Sequence, residues 1–431
     1  MKNLIYFLLL ILGGVLIASC EKQEEPLVSF GELSDIVVNG EGQFSSSVNY
    51  QGVEVPFTQY YDDTQVQLKS VKVSIENFML ESTVNSPVIN GEMLSASYVK
   101  VFKVNSEVRA YITYNLSGAG HGGALVVLDL TDSENPTIIK EILFSDIDIN
   151  VCEVYHAGKL MWLGGSSFKK GAVIIPVELD NKGNVTADSG SALTLDIITI
   201  KNVASVNGIK EAGDWLMITA GNSGGGTFAL NFKKGYRDDG TDYFANAKFS
   251  ATNGYTMGKF HASLEGGEAA KLHVYRIGLN DTENETVVPL GSLYHNVDND
   301  ADKYSGKATC FMENDSRYCY VSMGANGFVA VDIFEKVIVL QSSPKLLNHG
   351  NTNGISVDDE YIYLANGADG LVVCKKPTIT YGEDPVIVEP LYVWDEDIED
   401  ASANYVTVQD EYIFVAKGTQ GGLKIIKRLF D

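Results

Sequence analysis

Positive charge, proline, cysteine and helical periodicity are all scarce in this chain. Thirty-two basic residues stand against 56 acidic ones, so the 431-residue chain carries a formal net charge of −24. That balance excludes nucleic-acid binding, which needs a basic surface to neutralise phosphates. There are five cysteines and six histidines, with no Cys-x-x-Cys pair and no Cys/His cluster at zinc spacing, which argues against a structural zinc site. No amphipathic 3.6-residue pattern runs beyond about ten residues, which argues against helix bundles and βαβ folds. What remains is 45% hydrophobic and 10% aromatic, with 42 glycines. That is enough apolar material for a large core and excludes general disorder.

The N-terminus reads as a processing segment. Lys2 precedes an apolar run over 4–17, broken only by Gly13-Gly14. The run is short for a membrane span, which needs roughly 20 residues, and suits a secretory signal. Ile17-Ala18-Ser19-Cys20 resembles the lipobox of bacterial lipoproteins. The resemblance implies cleavage before Cys20, diacylglycerol on its sulfur and an acylated amine, including palmitate. Two or more acyl chains anchor stably where one is marginal. The acidic run Glu21-Lys22-Gln23-Glu24-Glu25 resembles the surface-export signal of some Gram-negative lipoproteins, and equally suits a solvated tether. The expected organisation is a signal over 1–19, a lipidated Cys and irregular lead-in over 20–64, and one folded body over 65–431.

Within that body an apolar strand, a glycine-rich turn and a second apolar strand recur. The strand pairs are 110–114 and 124–129, 160–163 and 172–175, 215–220 and 227–230, 259–264 and 271–277, 318–323 and 328–332, 361–365 and 371–374, and 412–416 and 423–426. From Ala124 to Leu423 the spacing is about 50 residues per copy. The expected turns include Gly164-Gly165 and Gly266-Gly267. Glycine suits tight hairpins because it accepts positive φ. Repeats of this length built of short strands predict an all-β, seven-bladed β-propeller with four-stranded antiparallel blades. The last copy stops after its third strand, so an N-terminal strand between about 66 and 80 is expected to close the ring. An unpaired edge would otherwise invite association.

Leu125-Val126-Val127-Leu128-Asp129, followed by Asn135-Pro136, resembles the LVIVD-repeat family of bacterial propellers. Phe328-Val329-Ala330-Val331-Asp332 is a partial copy, and other copies are degenerate. The resemblance spans roughly 98–431 and implies a fold without a single shared activity.

Motifs with chemical meaning are few. Gly118-Ala119-Gly120-His121-Gly122-Gly123 matches GxGxxG, but a strand follows where a dinucleotide site needs a helix. Gly221-Asn222-Ser223-Gly224-Gly225 matches GxSxG, again between strands and not at a strand-to-helix elbow. Asp298, Asp300 and Asp302 occupy the first three ligand positions of a calcium loop, yet Lys303 stands where an EF-hand needs glycine. Calcium there competes with a plain acidic loop. Cys310 and Cys319 flank a hairpin and would lie opposite each other if its turn centred on Asn314-Asp315. A cross-strand disulfide or two buried thiols follow from that placement.

The strand B–C turns and the D–A connections share one end of such a molecule. Candidate ligand groups there are His121, Asp146, Asp148, Asn222, His349, Asn351, Trp394, Asp395 and Asp397. Trp394 is either a sugar-stacking surface or a buried core residue. No catalytic set assembles from spacing. The expected role is therefore a non-catalytic binding or scaffold lipoprotein of the outer membrane, on the cell surface or periplasmic face, for a glycan or an envelope protein. The alternative is a propeller hydrolase or lyase acting on extracellular polysaccharide. Replacing Cys20 with Ser is expected to abolish metabolic labelling with palmitate; a chain that still labels refutes the lipobox.

Overall fold

The computed structural model describes residues 28–59, 71–72, 78–118, 120–155, 159–189, 193–221, 224–231, 243–246, 251–257, 260–265, 270–279, 285–295, 309–313, 317–343, 350–380, 384–394 and 401–429. Within them the chain is almost entirely antiparallel β-structure, with one helical turn at Gly418–Gly421.

From Ser95 onward the strands fall into successive groups of four, A to D in chain order, seven among the described residues. The first group is Ser95–Val104, Glu107–Asn115, Gly123–Asp129 and Thr137–Phe144. The second is Ile147–Tyr155, Leu160–Ser167, Gly171–Glu178 and Leu193–Ile200. The third is Ser205–Ala212, Trp215–Gly221, Gly226–Asn231 and Tyr243–Asn246. The fourth is Ala251–Met257, Phe260–Glu265, Ala270–Leu279 and Glu285–His295. The fifth is Cys310–Met312, Tyr318–Ser322, Phe328–Asp332 and Val337–Ser342. The sixth is Gly354–Val357, Tyr361–Ala365, Leu371–Lys375 and Pro390–Trp394. The seventh has Tyr405–Gln409, Tyr412–Ala416 and Leu423–Arg428, and takes its strand D from Phe78–Asn85, with Val84 opposite Leu423.

These strands read as unbroken apolar runs because both faces are buried. In strand C of the first group, Leu125 and Val127 join one core cluster with the second group. Ala124, Val126 and Leu128, on the other face, join a different cluster with Tyr412, Phe414 and Leu423 of the seventh. Strand A of each group packs against strand A of the next, and strand A of the seventh packs against that of the first.

Polar side chains at or just before the start of six of the seven A strands tie that succession together. Ser97 Oγ donates to Ile149 O (3.1 Å), Asn150 Nδ2 to Val206 O (3.2 Å) and Asn253 Nδ2 to Asn207 O (3.2 Å). Cys310 N donates to Asn253 Oδ1 (3.3 Å) and Ile355 N to Thr309 Oγ1 (3.2 Å). Asn353 Nδ2 donates to Ala403 O (2.9 Å), and Asn404 Nδ2 donates to Ala96 O (3.1 Å). Each of the seven joints, including seventh to first, thus carries one such bond. Three B–C turns add a backbone bridge to the next group: Gly324 to Thr352, Gly367 to Ala403 and Gly418 to Ala96. All three glycines sit at φ between 57° and 69°, which side-chain-bearing residues rarely adopt.

The structure departs from expectation at four points. First, the outer strand of the seventh group is Phe78–Asn85, which overlaps the expected 66–80 stretch only over 78–80. Val71–Lys72 pairs with Thr58–Gln59 beside the sixth group instead. Phe78, Leu80 and Val84 alternate toward the core, whereas the earlier segment has charged residues among its apolar ones. Second, the expected irregular lead-in contains two long strands. Val28–Asn39 lies between strands D of the first and second groups, and Ser47–Glu54 extends the seventh group beyond Phe78–Asn85. Buried Glu141 secures the link, accepting Asn39 Nδ2 (2.8 Å), both Ser45 donors (3.0 and 3.1 Å) and both Ser46 donors (3.0 and 2.6 Å). Third, Gly164-Gly165 is not a turn but mid-strand; the turn is Phe168-Lys169-Lys170. A Cβ on Gly164 would meet Val206 Cγ1 at 2.6 Å, and one on Gly165 would meet Asp148 O at 1.8 Å. Those glycines serve the close approach of neighbouring strands. Fourth, the 310–319 hairpin pairs Cys310 with Val321 and Met312 with Cys319, so the two cysteines are diagonal neighbours. Both are buried free thiols, and Cys319 is raised by its hydrogen bond to Cys310 and by burial.

Asn404 is buried at the joint between the last and first groups. Replacing it with Ala leaves Ala96 O without this donor and is expected to cost about 1–3 kcal/mol in urea unfolding. The exposed Gln409→Ala control is expected to stay within about 0.5 kcal/mol.

Candidate functional site

Two clusters stand out. The first lies where the A strands converge. Strand A begins at the D–A end and runs toward the A–B turns, and the cluster draws on residues from Tyr405, which opens its strand, to Glu153, near the end of its own. Here Glu153 of the second group is almost fully buried between two lysines. Lys210 Nζ of the third group lies 3.0 Å from Glu153 Oε2, and Lys100 Nζ of the first lies 2.5 Å from Oε1. Lys210 also donates to Tyr98 OH (2.8 Å) and sits 4.7 Å from the ring centre of Tyr255. Tyr98 in turn stacks on Tyr405 of the seventh group, with ring centres 4.2 Å apart. Five A strands therefore meet in one network.

Its electrostatics follow from burial plus pairing. Burial alone would raise the Glu153 carboxyl, but Lys100 and Lys210 outweigh it and hold Glu153 below its ordinary range. Burial would lower Lys210, and Glu153, with Tyr405 and Tyr255, drives it well above its ordinary value. Burial raises Tyr98, Tyr255 and Tyr405. An ammonium held this firmly is no nucleophile, and a carboxylate held ionised is no general acid at neutral pH. Removing one partner of such a buried pair typically costs about 3–5 kcal/mol, because the other charge is stranded. Nearby His261 is buried, with its ring nitrogens against Thr256 Oγ1 (2.8 Å) and Ser263 Oγ (2.9 Å). Burial, then Lys210, push it down to about 3, so it stays neutral at physiological pH.

The second cluster is at the B–C and D–A end of the first two groups. Asp148 accepts Leu116 N (3.2 Å), Gly122 N (3.1 Å) and Ser166 Oγ (3.3 Å), pinning the 116–122 loop. Burial raises its carboxyl, opposed by those amides and by His121. His121 Nε2 lies 3.7 Å from Asp148 Oδ2, and its ring meets Phe168 edge-on with centres 6.2 Å apart. Phe168 is 83% exposed. Lys169 Nζ reaches Asp146 Oδ2 at 4.0 Å.

Of the expected ligand groups, His121, Asp146 and Asp148 thus come together. Asn351 is exposed at the same end, but at the start of the sixth group. Trp394 does not offer a stacking surface: it is 3% exposed in the core between the sixth and seventh groups, with Lys417 Nζ 5.4 Å from its ring. Cys20, Asn222, His349, Asp395, Asp397 and the calcium candidates Asp298, Asp300 and Asp302 lie outside the described residues. Among the described residues no group of three or more His, Cys, Asp or Glu is arranged to hold a metal ion.

Sequence reasoning missed Phe168 and the whole network around Glu153. The signals were present: charges inside apolar runs, as in Val151-Cys152-Glu153-Val154 and Ile209-Lys210, and an aromatic in a lysine turn. No protein-family model and no curated protein matches this chain.

Because His261 is held far below its ordinary value near 6.5, the unfolded chain takes up a proton that the folded one refuses. Its contribution to stability is full above about pH 6.5 and falls toward pH 3, with a slope approaching 1.4 kcal/mol per unit. His261→Gln is expected to flatten that limb in urea unfolding measured from pH 7 to pH 4; an unchanged slope refutes the assignment.

Proposed function

We propose that this chain is a seven-bladed β-propeller lipoprotein similar to the LVIVD-repeat proteins. In this reading the seven strand groups are the blades, and Phe78–Asn85 closes the ring by completing the seventh. The chain is held in the outer membrane of a Gram-negative cell through lipidated Cys20. It works as a non-catalytic binding or scaffold protein for a glycan or an envelope partner. The cyclic packing of the A strands and the hydrogen bond at every joint support the propeller.

One observation carries the non-catalytic reading. The buried ionisable groups at the axis are spent on one another: Glu153 on Lys100 and Lys210, His261 between two hydroxyls. Binding falls instead to the loops at the B–C and D–A end, where a rigid frame displays polar groups such as His121 and Asn351. The acidic surface favours a neutral ligand over an anionic polymer.

The test is a glycan-array screen of the chain from residue 21 onward, with a reducing-end assay on each hit. Binding without release of new reducing ends is expected. Release would move the protein to the hydrolase or lyase class. If His121→Ala and Asn351→Ala leave binding intact while changes in the A–B turns abolish it, the ligand lies at the opposite end.

A further inference from the structure

We propose that the turn Phe168-Lys169-Lys170 of the second blade is a membrane-contact point, seated on the bilayer that carries the lipid anchor; this rests on the lipoprotein reading above.

The argument starts from register. Ser166 pairs with Ala172, Ala172 with Ile200, and Ile200 with Val28. These four residues form one row across strands B, C and D of the second blade and the N-terminal strand. Adjacent strands are about 4.8 Å apart, so Val28 lies roughly 10 Å from the start of strand C and roughly 15 Å from the end of strand B. The turn joining those two strands is Phe168-Lys169-Lys170. Val28 therefore lies beside this turn, at the same end of the same blade.

Eight residue steps separate Cys20 from Val28. A chain spans at most about 3.6 Å per residue, so the lipidated sulfur stays within roughly 29 Å of Val28. The bilayer surface cannot be farther away than that, and it can be much nearer.

What the turn presents suits such a surface. Phe168 is 83% exposed, the most exposed large hydrophobic residue described. Lys169 is 79% exposed and Lys170 is exposed. An aromatic flanked by lysines partitions into the headgroup region, with the ring toward the acyl chains and the ammoniums on anionic headgroups. On a chain of net charge −24, the two lysines locally offset the repulsion from an anionic membrane, with the Asp146 carboxylate 4.0 Å from Lys169 Nζ as the nearest opposing charge. In a ring of seven, the fifth and sixth blades lie across from the second. A contact at the second blade therefore leaves Asn351 and its neighbours clear of the lipid, while His121, whose ring meets Phe168 edge-on, sits beside the contact.

The test uses full-length lipidated protein in vesicles containing phosphatidylglycerol, with an environment-sensitive dye on Phe168→Cys or, separately, on Glu335→Cys. Glu335 is exposed in a C–D turn, at the other end of the molecule, and the four described native cysteines are buried. The dye at 168 is expected to be quenched several-fold more by a bilayer nitroxide, and several-fold less by aqueous iodide, than the dye at 335. Adding Lys169→Glu and Lys170→Glu is expected to remove most of that difference. Palmitate labelling of the same preparations separates the two claims. A lipidated protein with equal quenching at both sites overturns the contact and leaves the anchor standing. A protein without palmitate overturns the anchor, and with it the distance argument for the contact.

Discussion

Everything in this fold depends on the joints between neighbouring sheet groups. Each sheet is apolar on both faces, so none is stable alone; each must be covered twice. The hydrogen bonds donated by Ser97, Asn150, Asn253, Asn353 and Asn404 and accepted by Thr309 hold consecutive A strands in one register while the apolar faces between them close. A linear stack would leave two faces exposed. The bond from Asn404 to Ala96 and the shared core of Val126, Phe414 and Leu423 bring the last group onto the first, so no face is left over.

Charge is placed with the same economy. Acidic residues dominate the composition, yet where the A strands meet two lysines surround one buried glutamate. That cluster joins elements far apart in sequence, from Lys100 to Tyr405 through Tyr98. Its cost is desolvation, and a slip of one A strand against the next would strand a buried charge. The outer edges are handled differently. The N-terminal segment runs along the first, second, sixth and seventh groups as an added strand, and Val386–Val388 covers the fifth. This blunts edges that would otherwise pair with other chains.

Local sequence patterns carried the strand–turn–strand copies, because a half-buried or fully buried strand and a glycine hairpin both leave short-range marks. Gly324-Ala325-Asn326-Gly327 and the apolar run 328–332 are legible without any partner. Asn207-Gly208, Asn253-Gly254 and Asn353-Gly354 recur near the repeat spacing and could have been noticed as a signature of the joints. They read as ordinary turn dipeptides because their partners sit about 50 residues away.

The sequence by itself therefore determined the β-rich class, the strand–turn–strand repeat with its spacing, and the acidic composition, all of which are properties of neighbouring residues or of composition. Only the tertiary structure decided which strand completes the seventh group, since Phe78–Asn85 finds Leu423–Arg428 across more than 300 residues. It also decided that Gly164 and Gly165 serve close packing, that Trp394 is core, and that Phe168 faces solvent. Those outcomes depend on what lies opposite each residue once the sheets meet, and one-dimensional spacing does not encode that neighbour.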